Sequence, residues 1–342
     1  MRHWDVAIGN PAYQESMEAT SDKPVYNYFM DEAYKIADKV EFITPARFLF
    51  DAGKTKSSWN VKMLNDEHLK VLYYEQDSSK VFANTDIKGG VAITYRDSQK
   101  VYGAIEQFVP DNTLRDILFK VRSSKDFQSL STIINATEYF KFTNILHEEN
   151  PMAKKNMSKG HEYDLTSNIL NKNPNLFHDE KPKDNDEYLR IYGRQNNKRS
   201  YKWVKKAYIQ DSEGIGKYKV ILPESNNKGT FGETLVSPFV ADCDVITTQT
   251  FITIGFFSQK AEAEAVYKYI CGKFARAMLG TLKKTQHNKR ETWKNVPLQD
   301  FTNQSDIDWT KSIAEIDQQL YKKYGLSDEE VSFIETNVKE MK

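Results

Sequence analysis

The chain has 342 residues and a mass of 39.7 kDa, enough for two domains of ordinary size and a sizeable buried core. Forty-eight Lys and Arg cancel 48 Asp and Glu, so no overall field selects or rejects a polyanionic partner. Two cysteines, Cys243 and Cys271, exclude a disulfide scaffold and a thiolate metal cage. Apolar runs stop short of the ~20 residues of a membrane helix, and Met1-Arg2-His3-Trp4-Asp5 does not read as a secretory leader. A soluble, cytoplasmic protein with no membrane partner is expected.

Trp4 to Ile8 reads as a short strand closed by Gly9-Asn10-Pro11. Tyr26, Phe29, Met30, Ala33, Ile36 and Ala37 fall at helical spacing. Val40–Thr44 is a second strand ended by Pro45, Leu69–Tyr74 a third, and Gly90–Tyr95 a fourth. Strands alternating with helices predict an α/β layer ending near residue 105, its last strands antiparallel. Residues 106–187 form a spacer, with helical character at Leu114–Val121 and Gln128–Asn135 and a surface linker over 170–187. Residues 188–342 form a second domain. It is β-rich from Leu189 to Ile254, then has one helix from Ala261 to Leu282 and two helices at the end. Gly325 stops the first of these, and Ser327-Asp328-Glu329-Glu330 opens the second as a capping box.

The chemistry lies in Asn10-Pro11-Ala12-Tyr13, directly after the first strand. An exocyclic amino group on a base has its lone pair delocalised into the ring and is a poor nucleophile. Two acceptors that hold both N–H bonds let the nitrogen pyramidalise as it attacks. Asn10 offers a side-chain carbonyl and Pro11 a backbone carbonyl on a residue of fixed φ. Such acceptors work by preorganised electrostatics. Tyr13 offers a face for a base swung out of its helix, a contact worth ~1–3 kcal/mol.

These residues resemble motif IV of the amino-group DNA methyltransferases, Asp/Asn/Ser-Pro-Pro-Tyr/Phe after a hydrophobic strand. Val40–Leu49, with its Pro45 turn, resembles the next core strand. Val81–Val91 resembles the following signature of the Eco57I-like adenine methylases. Ala275-Arg276 through Lys284–Asn288 to Trp293, Pro297 and Leu298 resembles the end of their target-recognition region. The resemblance implies a partial Rossmann-like methyltransferase sheet followed by an α+β target-recognition domain. It also implies transfer of a methyl group from S-adenosylmethionine to adenine N6 in double-stranded DNA, within a restriction–modification system. Asn10, Pro11, Ala12 and Tyr13 would be its catalytic residues.

The sequence departs from that pattern twice. Ala12 stands for the second Pro, which frees Pro11 from the restriction a following proline imposes. A Gly-rich cofactor turn is not visible either: Gly214-Ile215-Gly216 has Lys219 where the fingerprint needs Gly. The expectation is therefore the catalytic-loop and recognition half of the enzyme, with little turnover alone and a separate upstream methyltransferase polypeptide as partner. The rival is a non-catalytic, sequence-specific DNA-binding module that works with such a chain. A sheet cut beside a central strand predicts limited solubility or dimerisation.

Other readings carry less weight. Asp86-Ile87-Lys88 has the spacing of a nuclease metal site without an upstream partner, and it reads better as a turn that brings Lys88 to nucleic acid. Gly53-Lys54-Thr55 lacks the first glycine of a phosphate loop, since Phe48 stands there. The six histidines show no metal spacing. Two basic stretches suit DNA backbone neutralisation. Tyr188–Lys206 contains Arg190, Arg194, Lys198, Arg199, Lys202, Lys205 and Lys206 and no acid. Lys273–Lys294 contains Lys283, Lys284, Lys289 and Arg290 among its cations and one acid, Glu291. Gln286, His287 and Asn288 are candidates for base edges, because Gln and Asn can pair bidentately with adenine.

Overall fold

The computed structural model describes residues 3–15, 23–225, 229–283 and 285–341. The chain divides into two compact units, Met1–Lys125 and Asp126–Lys342.

The first unit runs β1 (Trp4–Gly9), β2 (Gln14–Glu15), β3 (Lys23–Pro24), α1 (Tyr26–Ile36), β4 (Ala37–Pro45), α2 (Ser57–Leu64), β5 (Leu69–Glu75), β6 (Val91–Asp97) and α3 (Asn112–Arg122). Its main sheet has the order β1-β4-β6-β5. β1 and β4 are parallel, and α1 supplies the crossover that parallel strands require. β6 is antiparallel to both β4 and β5. Tyr26, Met30 and Ala33 put the buried stripe of α1 on the sheet, where Ala33, Ala37 and Val40 meet Ala7 of β1. The main core gathers Met30, Phe48, Leu49, Trp59, Met63, Leu69 and Ala92, with Trp59 edge-on to Tyr26 and Phe48. The other side of β1 is bare: Trp4, Val6 and Ile8, alternating along the strand, are 54%, 50% and 76% exposed.

The division falls at residue 125 because α3 folds with the first unit. Arg122 donates to the Ala104 carbonyl at 3.0 Å, and Arg115 to that of Val109 at 3.1 Å.

The second unit contains β7 (Ile134–Asn135), α4 (Asn144–Glu149), α5 (Pro151–Lys155), α6 (Ile169–Lys172), β8 (Tyr188–Gln195), β9 (Lys198–Lys205), β10 (Tyr218–Pro223), β11 (Phe239–Ala241), β12 (Val245–Thr247) and β13 (Phe251–Phe257). Four helices follow: α7 (Lys260–Cys271), α8 (Lys273–Leu282), α9 (Ile313–Lys323) and α10 (Asp328–Asn337). Two sheets form, β11-β10-β13-β7 and β12-β8-β9.

Three elements differ from the sequence expectation. Gln128–Asn135 is one 3-10 turn and the short β7, because Ile134 and Asn135 pair with Ile254 and Thr253 of β13. The first part of 170–187 is anchored rather than free, with Leu170, Leu176 and Phe177 buried; residues 178–187 then run along the surface. The single helix over 261–282 is two, broken at Gly272, which is extended with ψ 154°. A Cβ there would stand 2.6 Å from Oδ1 of Asp317. That carboxylate accepts from the backbone N–H of Lys273 at 2.8 Å and of Phe274 at 3.0 Å, capping α8 from α9. The capping box at Ser327 and Glu330 forms as expected. No helix among the described residues is long and apolar enough to cross a membrane.

Candidate functional site

β1 delivers Asn10 at its carboxyl end, beside the matching end of its parallel neighbour β4, where Gly9 pairs with Phe42. Ligands of open α/β sheets gather at such strand ends. Asn10 and Ala12 are exposed, while Pro11 and Tyr13 are half-buried. The loop is pinned on its far side. The Val25 N–H donates to the Tyr13 carbonyl at 3.1 Å, and β2 pairs with β3 through Gln14–Pro24 and Glu15–Lys23. This anchoring offsets part of the freedom that Ala12 introduces. The Tyr13 ring leans on the main core. Burial raises its phenol pKa, and the nearby Asn10 amide opposes the shift. The amide does not close a well-formed hydrogen bond, so the hydroxyl is buried and unpartnered.

A cleft of about 770 Å³ opens beside the loop. Asn10, Pro11, Ala12, Tyr13 and Gln14 form one wall. Tyr26, Pro45, Arg47, Gly53 and Lys54 form another, and Asp86, Ile87 and Lys88 a third. Ser78 builds the third wall: its hydroxyl donates to the Thr85 carbonyl at 3.1 Å and accepts from the Ile87 N–H at 2.8 Å. The structure thus brings Lys88 to the Asn10–Tyr13 loop. Arg47, Lys54 and Tyr26 were not singled out by sequence reasoning as site residues. The available signal was the parallel pairing of the first two strands, which places the turn after Pro45 next to Asn10.

Among the described residues the cleft is lined by three cations, Arg47, Lys54 and Lys88, with Lys54 already engaged, and by one carboxylate, Asp86. That charge balance suits an anion and fits the sulfonium of S-adenosylmethionine poorly. The lining residues do not form a cradle for that group. Among the described residues no group of three or more His, Cys, Asp or Glu could hold a metal ion.

The second unit treats its basic residues differently. The stretch 188–206 lacks acids in sequence, yet the fold supplies them. Lys202 is ion-paired with Asp179, Lys205 with Glu149 and Asp186, Lys206 with Glu187, and Arg190 with Asp242 and Asp244. Arg194 and Arg199 stay exposed, facing each other across the tip of the β8–β9 hairpin. Asn196 and Asn197, both at positive φ, turn that hairpin. Arg194 donates to Asn197 at 3.2 Å, and Arg199 lies over the Phe251 ring.

In the other stretch Lys283 is 4% exposed and bound to Glu233, which turns it away from any DNA backbone. Asn288 is fully buried, its Nδ2 donating to the Pro223 carbonyl at 3.1 Å, so it presents nothing to a base edge. His287 Nδ1 lies 2.9 Å from Glu224. Gln286 and Lys289 are exposed, and Lys284 lies outside the described residues. Lys219, which broke the glycine fingerprint, is buried in β10 and donates to the Val245 carbonyl at 2.8 Å; burial pushes its pKa down to about 8.

Residues 2–82 match the family model described as Eco57I restriction-modification methylase. The matched span lies within the α/β first unit and contains the Asn10–Tyr13 loop and the Val40–Leu49 segment. No curated protein matches. Among solved structures, the type IIG restriction endonuclease BpuSI is 10% identical, with a TM-score of 0.32 over 93% of this chain and 48% of its own. The type IIL restriction-modification enzyme MmeI, solved with DNA, is 12% identical, with a TM-score of 0.27 over 97% of this chain and 56% of its own. The chain spans about half the length of these structures.

Proposed function

We propose that this chain carries the base-binding loop and a DNA-recognition unit of a site-specific adenine-N6 DNA methyltransferase belonging to a restriction–modification system. One observation carries the reading. Asn10 and Pro11 sit at the carboxyl end of β1, open to a cleft of about 770 Å³ in the segment that matches the methylase family. An extruded adenine fits there with its amino group donating to the Asn10 side-chain oxygen and the Pro11 carbonyl. The lone pair is thereby drawn out of conjugation and aimed at the methyl donor. Tyr13, half-buried beside the cleft, supplies the stacking face.

The sheet order supports the same reading. A parallel pair followed by an antiparallel strand inserted between β4 and β5 suits the second half of a Rossmann-like methyltransferase sheet. S-adenosylmethionine, the donor the family implies, would be held by residues other than those lining the cleft. The uncovered Trp4, Val6 and Ile8 on β1 suit a covering segment or companion polypeptide that supplies them. In the second unit, Lys289, Gln286 and the hairpin tip with Arg194 and Arg199 offer exposed contacts to double-stranded DNA. The misfit of the cleft to the sulfonium favours the second reading, a DNA-binding module that becomes active only with a separate cofactor-binding chain.

The test is transfer of labelled methyl groups to plasmid DNA by the chain with its companion polypeptide, followed by nucleoside analysis. N6-methyladenine is the expected product. Asn10→Ala should lower the rate about 10²–10³-fold, the cost of removing one preorganised polar contact, with DNA retention unchanged. Label appearing in cytosine, or full activity in Asn10→Ala, would refute the assignment. Calorimetric titration of S-adenosylmethionine into the chain alone separates the two readings.

A further inference from the structure

We infer that Arg47 is a positioning residue that grips the phosphate attached to the extruded nucleotide, so the cleft takes a nucleotide and not merely a base. This rests on the reading of the cleft as an adenine site.

The first observation is the way the side chain is framed. Arg47 opens the wall after Pro45 and lines the cleft with Asn10 and Tyr13. Two glycines flank its stem, both at positive φ: Gly53 at +100° and Gly89 at +87°. A Cβ on Gly89 would stand 2.5 Å from Cγ of Arg47, and one on Gly53 would stand 3.2 Å from its Cβ. Separate loops thus leave out side chains where the arginine passes, which fixes the stem while the head stays exposed.

The second observation is that the head has no partner. Among the described residues the Arg47 guanidinium makes no hydrogen bond or ion pair, whereas the arginines of the first unit at 96, 115 and 122 all do. Its charge acts on the Tyr26 phenol, whose pKa burial raises and Arg47 pulls down. A guanidinium that is constrained, uncommitted and beside two lysines suits a bidentate grip on phosphate oxygens. A phosphate is the one anion that an extruded nucleotide brings to the mouth of a base pocket. Gripping it turns the base towards Asn10 and Pro11 without reading sequence.

Adenosine and 5′-AMP distinguish the phosphate grip from the adenine site. Their dissociation constants for the full chain are measured by ligand-observed NMR at low ionic strength. Wild type should bind 5′-AMP about tenfold more tightly than adenosine. Arg47→Gln should bring that ratio close to one and leave adenosine affinity unchanged. Arg47→Lys, which keeps the charge but loses the fork, should fall between them. Gly89→Ala should also lower the ratio, since it displaces the arginine without removing charge, and unchanged melting curves confirm that the variants are folded. An equal ratio in wild type and Arg47→Gln, or no phosphate preference in wild type, overturns the role of Arg47 while the adenine site stands. Failure of wild type to bind either ligand removes the adenine site itself, and the phosphate grip with it.

Discussion

The two units of this chain handle charge in opposite ways. Among the described residues around the cleft of the first unit, Arg47 and Lys88 share space with one carboxylate, Asp86, and the Arg47 head makes no hydrogen bond or ion pair. In the second unit, Arg190, Lys202, Lys205, Lys206 and Lys283 all meet carboxylates, several of them brought from distant segments. A cation already held by a carboxylate cannot be counted towards DNA binding, because it must first give up that partner. The lesson is that a run of basic residues in sequence is not yet a basic surface. What counts is which cations the fold leaves uncommitted. By that criterion the first unit presents Arg47 at its cleft, and the second presents a few exposed cations on a largely neutralised face.

The sharpest way to break this contrast is at Lys283. If it belongs to the fold, Lys283→Ala leaves the largely buried Glu233 without its cation and should cost about 3–5 kcal/mol of unfolding free energy, read from urea denaturation. A stable variant with weakened DNA binding would return Lys283 to the interface. The exposed hairpin arginines should behave in the reverse manner. Arg194→Ala and Arg199→Ala should each leave stability within about 0.5 kcal/mol. Each should lower the slope of log K against log salt for duplex DNA by about one. An unchanged slope in both would remove the hairpin tip from the interface.

The smallest effect is a pH dependence at Asp317. Burial pushes its carboxyl up to about 6, against the two backbone N–H donors that it caps. The folded state therefore holds this proton more tightly than the unfolded chain, whose value is 3.8. The contribution of Asp317 is complete below that value and is lost as pH rises through about 6. The stability difference between wild type and Asp317→Asn should accordingly shrink between pH 4 and 7. Carboxylates held low, such as Asp164 and Asp244, cancel in this difference because both proteins contain them. A difference independent of pH would show that the cap is ionised throughout.

Much of the first unit was legible because its signals are local. Alternation and terminators gave β1, β4, β5 and β6 to within a few residues, and helical spacing gave α1. The Asn10–Tyr13 loop stood out because a breaker followed a strand. Features that depend on distant residues were hidden. Nothing around Lys283 reveals Glu233, and nothing around Asn288 reveals that it bonds Pro223 from a buried position. Gly272 lies inside an unbroken helical pattern, and the reason for the break, Asp317, sits on another helix. Arg47 lay within a segment that was read correctly, yet its significance comes from Gly53 and Gly89, which only the fold brings to it.

The bare face of β1 has an optical consequence. Of the five tryptophans, Trp4 alone is exposed; Trp59 and Trp293 are buried, and Trp203 and Trp309 are intermediate. Its indole is thus placed to report, through the colour of its emission, the moment at which another surface closes over the strand that leads into the Asn10–Tyr13 loop.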